Sequence, residues 1–467
     1  MSECRDISVR FHGPYGRRGP LMWSQLMFWN WLRTRPPGSD TLNLVGTCKV
    51  RANRGLTEVL DAIRALVERH DALHTVFFEE DGRPVQEVVR SGELRIAVHT
   101  VRPGEADTVA DQVKRAFADQ PFDLAAQLPV RAAVITGEDE APLTVVLAAS
   151  HMAVDGGSFH IVRDDFTALL EPGRALPPRG QQPVERAAYE ATAGAIGREE
   201  KALQHWTRSL RELPRTWLDD LPPGTGEPLY ADMTSRALAL ALSLLTQRTR
   251  MSPAMILQAA TALLLGLYLD ENEVGLHLQV APRFRPETRE LVGAFNLPGM
   301  FRVRLRDEPF SAFLAHATTA SLKAYASCEC DPQKVDALYV RAQAERGIST
   351  TGRCMVNALA SNFGTAVPAD QSPSLDSIEK SLSQTRVIDR GLDLALGAKF
   401  YLYIFDVSDK VVLRLSADRN FIPTHQFLLD LEWLIVEGMK SDARLADLAT
   451  ALTARRQRSV SDVFSAK

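Results

Sequence analysis

Among the ten histidines of this chain, His151 has the setting that chemistry needs. It follows the near-continuous apolar run Leu143 to Ala148 and stands four residues before Asp155-Gly156-Gly157. From Ser158 the spacing turns helical, with Phe159, Val162, Phe166 and Leu169 on one side. The imidazole is therefore expected at a strand-to-helix junction, where a scaffold can hold a side chain rigidly beside a cleft. A neutral imidazole can take the proton of an attacking amine or hydroxyl, or simply position it; spacing alone does not separate the two roles. Gly156 and Gly157 let the backbone approach a ligand closely, and an N–H there can face a developing oxyanion. The competing reading is a histidine satisfied within the core, and the junction with its Asp-Gly-Gly counts against it.

The elements that must hold this junction read as mixed α and β. Gly55 to Arg69 carries Leu56, Val59, Leu60, Ile63 and Leu66 at helical spacing. Strands are expected at His74 to Phe78 and, past the turn Glu80-Asp81-Gly82, at Val85 to Val89. Val130 to Thr136 and Leu143 to Ala148 predict two more, the latter apolar enough to be buried on both faces. Four prolines and two glycines between Glu171 and Val184 predict a linker. Beyond it, Arg186 to Leu210 reads as helix and Ser235 to Leu242 as a strand, while Ser252-Pro253 opens an apolar helix that ends near Tyr268. Further strands are expected at Val274 to Val280, Phe301 to Leu305, Cys354 to Leu359, Phe400 to Phe405 and Val411 to Ser416. An amphipathic helix covers Pro423 to Met439, and the polar tail from Arg455 to Lys467 is expected to be mobile.

Composition sets the outer limits. The chain has 467 residues, 45% of them hydrophobic and 24% charged, with 54 Lys+Arg against 58 Asp+Glu and hence a formal charge of −4. That mix belongs to a globular protein with two or three cores and excludes disorder, collagen and coiled coil. Arg5, Arg10, Arg17 and Arg18 make the N-terminus locally basic, but the balanced total gives no footprint for nucleic acid or an anionic membrane. The five cysteines (Cys4, Cys48, Cys328, Cys330 and Cys354) are scattered and odd in number, which fits a reducing cytoplasm. Cys328-Glu329-Cys330 lacks neighbouring ligands, so no metal is expected. No signal peptide is visible, and the apolar stretch Ala254 to Tyr268 is shorter than the roughly 20 residues a bilayer requires. Gly13, Gly16 and Gly19 form neither GxGxxG nor a P-loop, and there is no GxSxG elbow. Nucleotide binding and serine hydrolysis have no support.

Ser150-His151-Met152-Ala153-Val154-Asp155-Gly156 resembles the HHxxxDG signature of nonribosomal peptide synthetase condensation domains, a branch of the chloramphenicol acetyltransferase-like acyltransferases. Four more matches follow in the family's order. Gly19 to Trp29 resembles the opening motif, and Arg69-His70-Asp71-Ala72-Leu73-His74-Thr75-Val76-Phe77 resembles RHExLRTxF. Arg283 to Glu287, continued by Val292-Gly293-Ala294-Phe295-Asn296, resembles the Arg-containing segment that leads to GxFVN, and Ala417 to Phe421 resembles the closing segment. Three departures stand out: Ser150 replaces the first histidine, His74 replaces an arginine, and the GxFVN match is one residue short.

The resemblance implies an α/β (α+β sandwich) fold of two chloramphenicol acetyltransferase-like lobes, a V-shaped pseudodimer, with lobes at residues 1–178 and 179–467. It makes His151 the catalytic residue, supported structurally by Ser150 and by an Asp155–Arg283 ion pair that joins the lobes. Trp23 and Gln25 would shape a substrate tunnel, although Trp23, Phe28 and Trp29 serve equally well as core. Ser361 and Asn362 would line the tunnel from the other lobe or form an ordinary turn. The implied enzyme is a free-standing, cytoplasmic acyltransferase of natural-product biosynthesis. It would form an amide or ester between an acyl or aminoacyl thioester on a carrier protein and an amine or alcohol acceptor. No cofactor would be bound permanently; the phosphopantetheine arm of the carrier, or coenzyme A, would deliver the donor. A coenzyme A-dependent acyltransferase is one alternative, and a catalytically silent recruitment domain, motivated by Ser150 and His74, is another.

Overall fold

A computed structural model describes residues 3–34, 42–51, 53–214, 228–346, 354–359, 373–392, 398–418 and 420–465. The chain divides into two compact units, Met1–Arg198 with Ala281–Leu297, and Glu199–Val280 with Pro298–Lys467.

The strands of the first unit are β1 (Glu3–His12), β2 (Arg17–Pro20), β3 (Asn43–Lys49), β4 (Thr75–Glu80), β5 (Arg83–Val88), β6 (Ser91–Thr100), β7 (Val130–Thr136) and β8 (Pro142–Ser150). Its longer helices are α1 (Trp23–Arg33), α2 (Leu56–Arg69), α3 (Ala106–Asp119), α4 (Gly156–Leu169) and α5 (Pro183–Glu190), a single helical turn covers Pro286–Arg289, and α6 (Ala193–Glu212) crosses the boundary between the units. A five-stranded sheet in the order β1-β6-β7-β8-β3 is accompanied by a small antiparallel sheet, β2-β5-β4. Both faces of the larger sheet are covered. Ala132 and Val134 of β7, with Val145, Leu147 and Ala149 of β8, join α2 and α4 in one core; Ala133, Ile135 and Val146 pack with Val109, Ala110 and Val113 of α3 in the other. Double coverage is why β7 and β8 read as near-continuous apolar runs, each fully buried aliphatic side chain contributing about 1.5–3 kcal/mol.

The second unit holds one seven-stranded sheet in the order β11-β10-β12-β14-β15-β9-β13. Its strands are β9 (Pro228–Ser235), β10 (Glu273–Val280), β11 (Leu297–Arg304), β12 (Cys354–Ala358), β13 (Arg386–Leu392), β14 (Phe400–Val407) and β15 (Val411–Asp418). Its helices are α7 (Arg236–Thr249), α8 (Pro253–Leu269), α9 (Phe310–Ala326), α10 (Pro332–Arg346), α11 (Leu375–Leu382), α12 (Thr424–Ser441) and α13 (Leu445–Ser465). Four strands of each sheet repeat one arrangement: β6-β7-β8-β3 and β12-β14-β15-β9 both run parallel, antiparallel, antiparallel. No single helix among the described residues is long and apolar enough to cross a membrane.

Several expectations are corrected. Ser235 to Leu242 is not a strand: β9 ends at Ser235, whose Oγ accepts the Leu238 N–H at 2.9 Å and caps α7. The Ala/Leu alternation there imitates a strand, but every residue from Ala237 to Ser243 is buried, so it marks no exposed face. The expected helix from Arg186 to Leu210 is two helices, α5 and α6. The tail is helical through Ser465, with Arg456 bonded to the buried Asp430 at 2.8 Å and stacked 3.7 Å from the Tyr268 ring centroid. The units also do not divide at 178/179. Glu185 and Glu190 of α5 bind Arg17 and the Trp23 N–H, which keeps α5 with the first unit.

Candidate functional site

The site is built on the turn between β8 and α4. The Ser150 carbonyl accepts the Ala153 and Val154 N–H groups at 2.9 and 3.0 Å, its Oγ accepts the Met152 N–H at 3.3 Å, and the His151 N–H donates to the Leu42 carbonyl at 3.0 Å. Met152, Ala153 and Val154 are drawn into the core, so His151 is the one partly exposed residue between Ser150 and Asp155. Its ring lies against Phe28 of α1, with centroids 4.4 Å apart and planes tilted by 34°. Nδ1 is buried and makes no well-formed hydrogen bond among the described residues, so Nε2 is the nitrogen left to meet a substrate. Burial pushes the His151 pKa below the usual imidazole range, against the pull of the backbone carbonyls of His151 and Val154 and of the Asp155 carboxylate. The ring is neutral at neutral pH, the form that can accept a proton.

Asp155 caps α4 and faces away from that chemistry. Its Oδ1 accepts the Ser158 N–H at 2.7 Å and Arg283 Nη2 at 2.7 Å; its Oδ2 accepts Arg283 Nη1 at 3.0 Å and the Phe295 N–H at 3.1 Å. Burial alone would raise this carboxyl, but the Arg283 guanidinium and the bonds from Ser158 outweigh it and hold the pKa below the carboxylate range. The bidentate pair forms as the resemblance implied, with one correction to its role. Arg283 lies in the segment Ala281–Leu297, which belongs to the same unit as Asp155, so the pair fastens a returning segment within the first unit. Gly157 makes room for it, since a Cβ there would stand 3.0 Å from Arg283 Nη1. The Phe295 ring centroid lies 5.0 Å from the Arg186 guanidinium and 5.6 Å from that of Arg283.

Ser158 was invisible to spacing and is central here. Fully buried, its Oγ accepts from Arg283 Nη2 at 2.6 Å and from the Gly293 N–H at 2.9 Å and donates to the Gly293 carbonyl at 2.7 Å. The signal that could have found it is its place three residues past a capping Asp, in the first turn of α4.

The remaining expected residues fare differently. Trp23 is half-buried, its N–H bonded to Glu190 at 2.8 Å. Gln25 is buried; its Oε1 accepts the Met22 N–H at 2.9 Å and its Nε2 donates to Gln86 at 3.3 Å, which makes it a cap for α1. Ser361 and Asn362 lie outside the described residues. His74, at the arginine position of the second motif, is buried with Nδ1 bonded to the Val89 carbonyl at 2.7 Å and its ring beside Phe11. Among the described residues no group of three His, Cys, Asp or Glu side chains is arranged to hold a metal. The Cys330 thiol, pushed up to about 12 mainly by burial, bonds to the Ser327 carbonyl.

Comparison with known proteins places these residues in a family context. The condensation-domain family model matches residues 37–336. Over 314 residues the chain is 28% identical to the phosphinothricin tripeptide synthetase PhsC of Streptomyces viridochromogenes, covering 63% of this chain and 28% of that protein. Over 292 residues it is 27% identical to gramicidin S synthase 2 of Aneurinibacillus migulanus, covering 61% of this chain and 6% of that protein. The chain thus spans less than a third of either relative. Among solved structures, the condensation domain of the Monacolin K polyketide synthase MokA superposes with a TM-score of 0.67 at 15% identity, over 92% of this chain and 99% of that one. A structure described for condensation domain-mediated chain release from the enacyloxin polyketide synthase gives 0.65 at 20% identity, over 92% and 84%. These likenesses show a shared fold.

Proposed function

The chain belongs to the condensation-domain family, whose members are acyltransferases that form amide bonds in peptide synthetases, and from that premise we propose that it joins a carrier-bound acyl or aminoacyl thioester to an amine or alcohol, with His151 handling the nucleophile. Condensation domains of such synthetases work on substrates carried by the phosphopantetheine arm of a carrier protein, which would be the donor here. The observation that carries the reading is the single partly exposed imidazole of the Ser150–Asp155 turn, neutral and with only Nε2 available.

The chemistry asks little more. A thioester is already activated, so the enzyme must position the nucleophile, manage its proton and stabilise the tetrahedral oxyanion. Nε2 would accept the N–H or O–H of the acceptor as the new bond to the carbonyl carbon forms. Collapse of the intermediate would break the C–S bond, and the imidazolium would return the proton to the departing thiolate. Backbone N–H groups at Gly156 and Gly157 are the candidates to face the oxyanion. Asp155, Arg283 and Ser158 would hold the turn in place.

The test is product formation from an acyl-loaded carrier protein and a panel of amines and alcohols, followed by mass spectrometry. His151→Ala should lose condensation while keeping the wild-type melting curve. Wild-type rates in that variant would reject the chemical role. Replacing the carrier with the acyl-coenzyme A thioester should abolish or strongly reduce turnover, and equal turnover would favour a coenzyme A-dependent transferase instead.

A further inference from the structure

We infer that Phe28 is a positioning residue for His151, its ring covering one face of the imidazole and fixing the orientation that turns Nε2 outward. The inference rests on His151 being the proton-handling group. Phe28 stands three and four residues after the buried Gln25 and Ser24 and so shares the inward stripe of α1. That helix is itself held, through the Gln25 cap and through the bond from the Trp23 N–H to Glu190. A phenyl ring has only two side-chain torsions, so once the helix is fixed the plate over the imidazole is nearly fixed too. With centroids 4.4 Å apart, the imidazole cannot flip without displacing the phenyl ring.

Two opposing effects follow from the contact, and their sizes decide its sign. An imidazolium on an aromatic face is attracted to it, which would favour the charged ring by about half a pH unit. Hydrocarbon cover denies that ring water, an effect that reaches several pH units for buried groups. The one charged group that acts on the imidazole is Asp155, whose oxygens are turned to Arg283 and already neutralised by two bonds from it, and the other polar neighbours are the carbonyls of His151 and Val154. Cover therefore dominates, and Phe28 acts on the reaction through the imidazole without touching substrate.

The experiment is an NMR titration of the His151 ring in the full chain, run beside pH–rate profiles for wild type, Phe28→Ala and Phe28→Leu. Phe28→Ala should raise the His151 pKa by about half to one pH unit and move the acidic limb of kcat/KM up with it. Its kcat should fall about tenfold with KM within about twofold, because the nucleophile's partner is no longer aimed. Phe28→Leu keeps apolar cover and should leave the pKa at the wild-type value with an intermediate kcat. An unchanged pKa and limb in Phe28→Ala would overturn the inference, and so would a pKa lowered in both variants, which would mean that the phenyl face chiefly stabilises the charged ring. His151→Ala that still condenses would instead remove the assignment of His151, leaving the titration result standing on its own.

Discussion

In the first unit the β7–β8 hairpin runs into α4, and in the second the β14–β15 hairpin runs into α12, through turns hydrogen-bonded alike. The Ser150 carbonyl accepts the N–H groups three and four residues on, at 2.9 and 3.0 Å; the Asp418 carbonyl accepts those of Phe421 and Ile422 at 2.9 and 3.1 Å. Each strand's last residue is followed, five positions later, by the helix cap: Asp155 in one turn, Pro423 in the other. What differs is the side chains. The first turn carries the imidazole of His151, and its capping carboxylate, which binds Arg283, has a proline as its counterpart in the second. The turn is thus what a hairpin needs to enter a helix lying across its own sheet, and reactivity is an addition to it made by individual residues.

The sharpest way to break this comparison is to strip both turns. His151→Ala should lower condensation by about 10²–10⁴-fold, the span expected for a positioned acid–base group, with an unchanged melting temperature. Asn420→Ala in the other turn should leave rates within about twofold. A comparable loss from both would mean that the two junctions share the chemistry.

Stability should divide the turns as well. Asp155→Ala or Arg283→Ala leaves a buried charge without its partner, and each should cost about 3–5 kcal/mol by chemical denaturation. The double variant should cost clearly less than the sum, since neither charge is then stranded. Ser158→Ala removes one hydroxyl that serves Arg283 and both backbone groups of Gly293, a loss of about 1–3 kcal/mol. Additive losses for Asp155 and Arg283 would show that the two act separately.

Acid should act in two stages. The buried His70 and His74 and the partly exposed His151 all have pKa values lowered chiefly by loss of water, and all three lie in the first unit. Unfolding lets them bind protons at their ordinary pKa near 6.5, so stability should begin to fall as pH drops below that value and keep falling until the folded pKa values are reached. Asp155 has its folded pKa depressed, so its contribution is complete above the ordinary carboxylate pKa near 4 and is lost only as pH falls further, through the folded value. Denaturation midpoints between pH 8 and pH 3 would show both stages. A flat profile down to pH 4.5 would mean that the buried rings are protonated in the folded state.

What the sequence could tell about these turns follows the range of the interactions involved. Both ends of β7 and the body of β8 were legible because two cores cover them and leave an unbroken apolar run, whereas β8 runs two residues past Ala148 to Ser150. The capping role of Ser252 was legible because its bond to the Met255 N–H is local. The helical tail was not, since Arg456 looks like surface until Asp430 and Tyr268 are placed beside it. Ser158 bonds to Gly293 across 135 positions, and Phe28 meets His151 from a helix near the other end of the unit; neither contact has a period to read. The resemblance supplied the Asp155–Arg283 pair but not the unit in which it closes, because the segment carrying Arg283 follows β10 of the second unit in the chain.

The smallest expected effect tests whether the cap alone distinguishes the second turn. Pro423→Asp would place a carboxylate where Asp155 stands in the first, ready to accept the N–H three residues on, from Gln426. A new cap contributes about 1 kcal/mol. Against it, removing proline frees the unfolded chain by about 0.4–1 kcal/mol. Pro423 has φ −71° and makes no side-chain cap bond, so the backbone already fits both residues. The net change in stability should stay within about half a kcal/mol, with condensation unaffected. A gain of several kcal/mol would require the new carboxylate to find a cation as Asp155 finds Arg283, and the two turns would then differ by a single residue instead of by a returning segment.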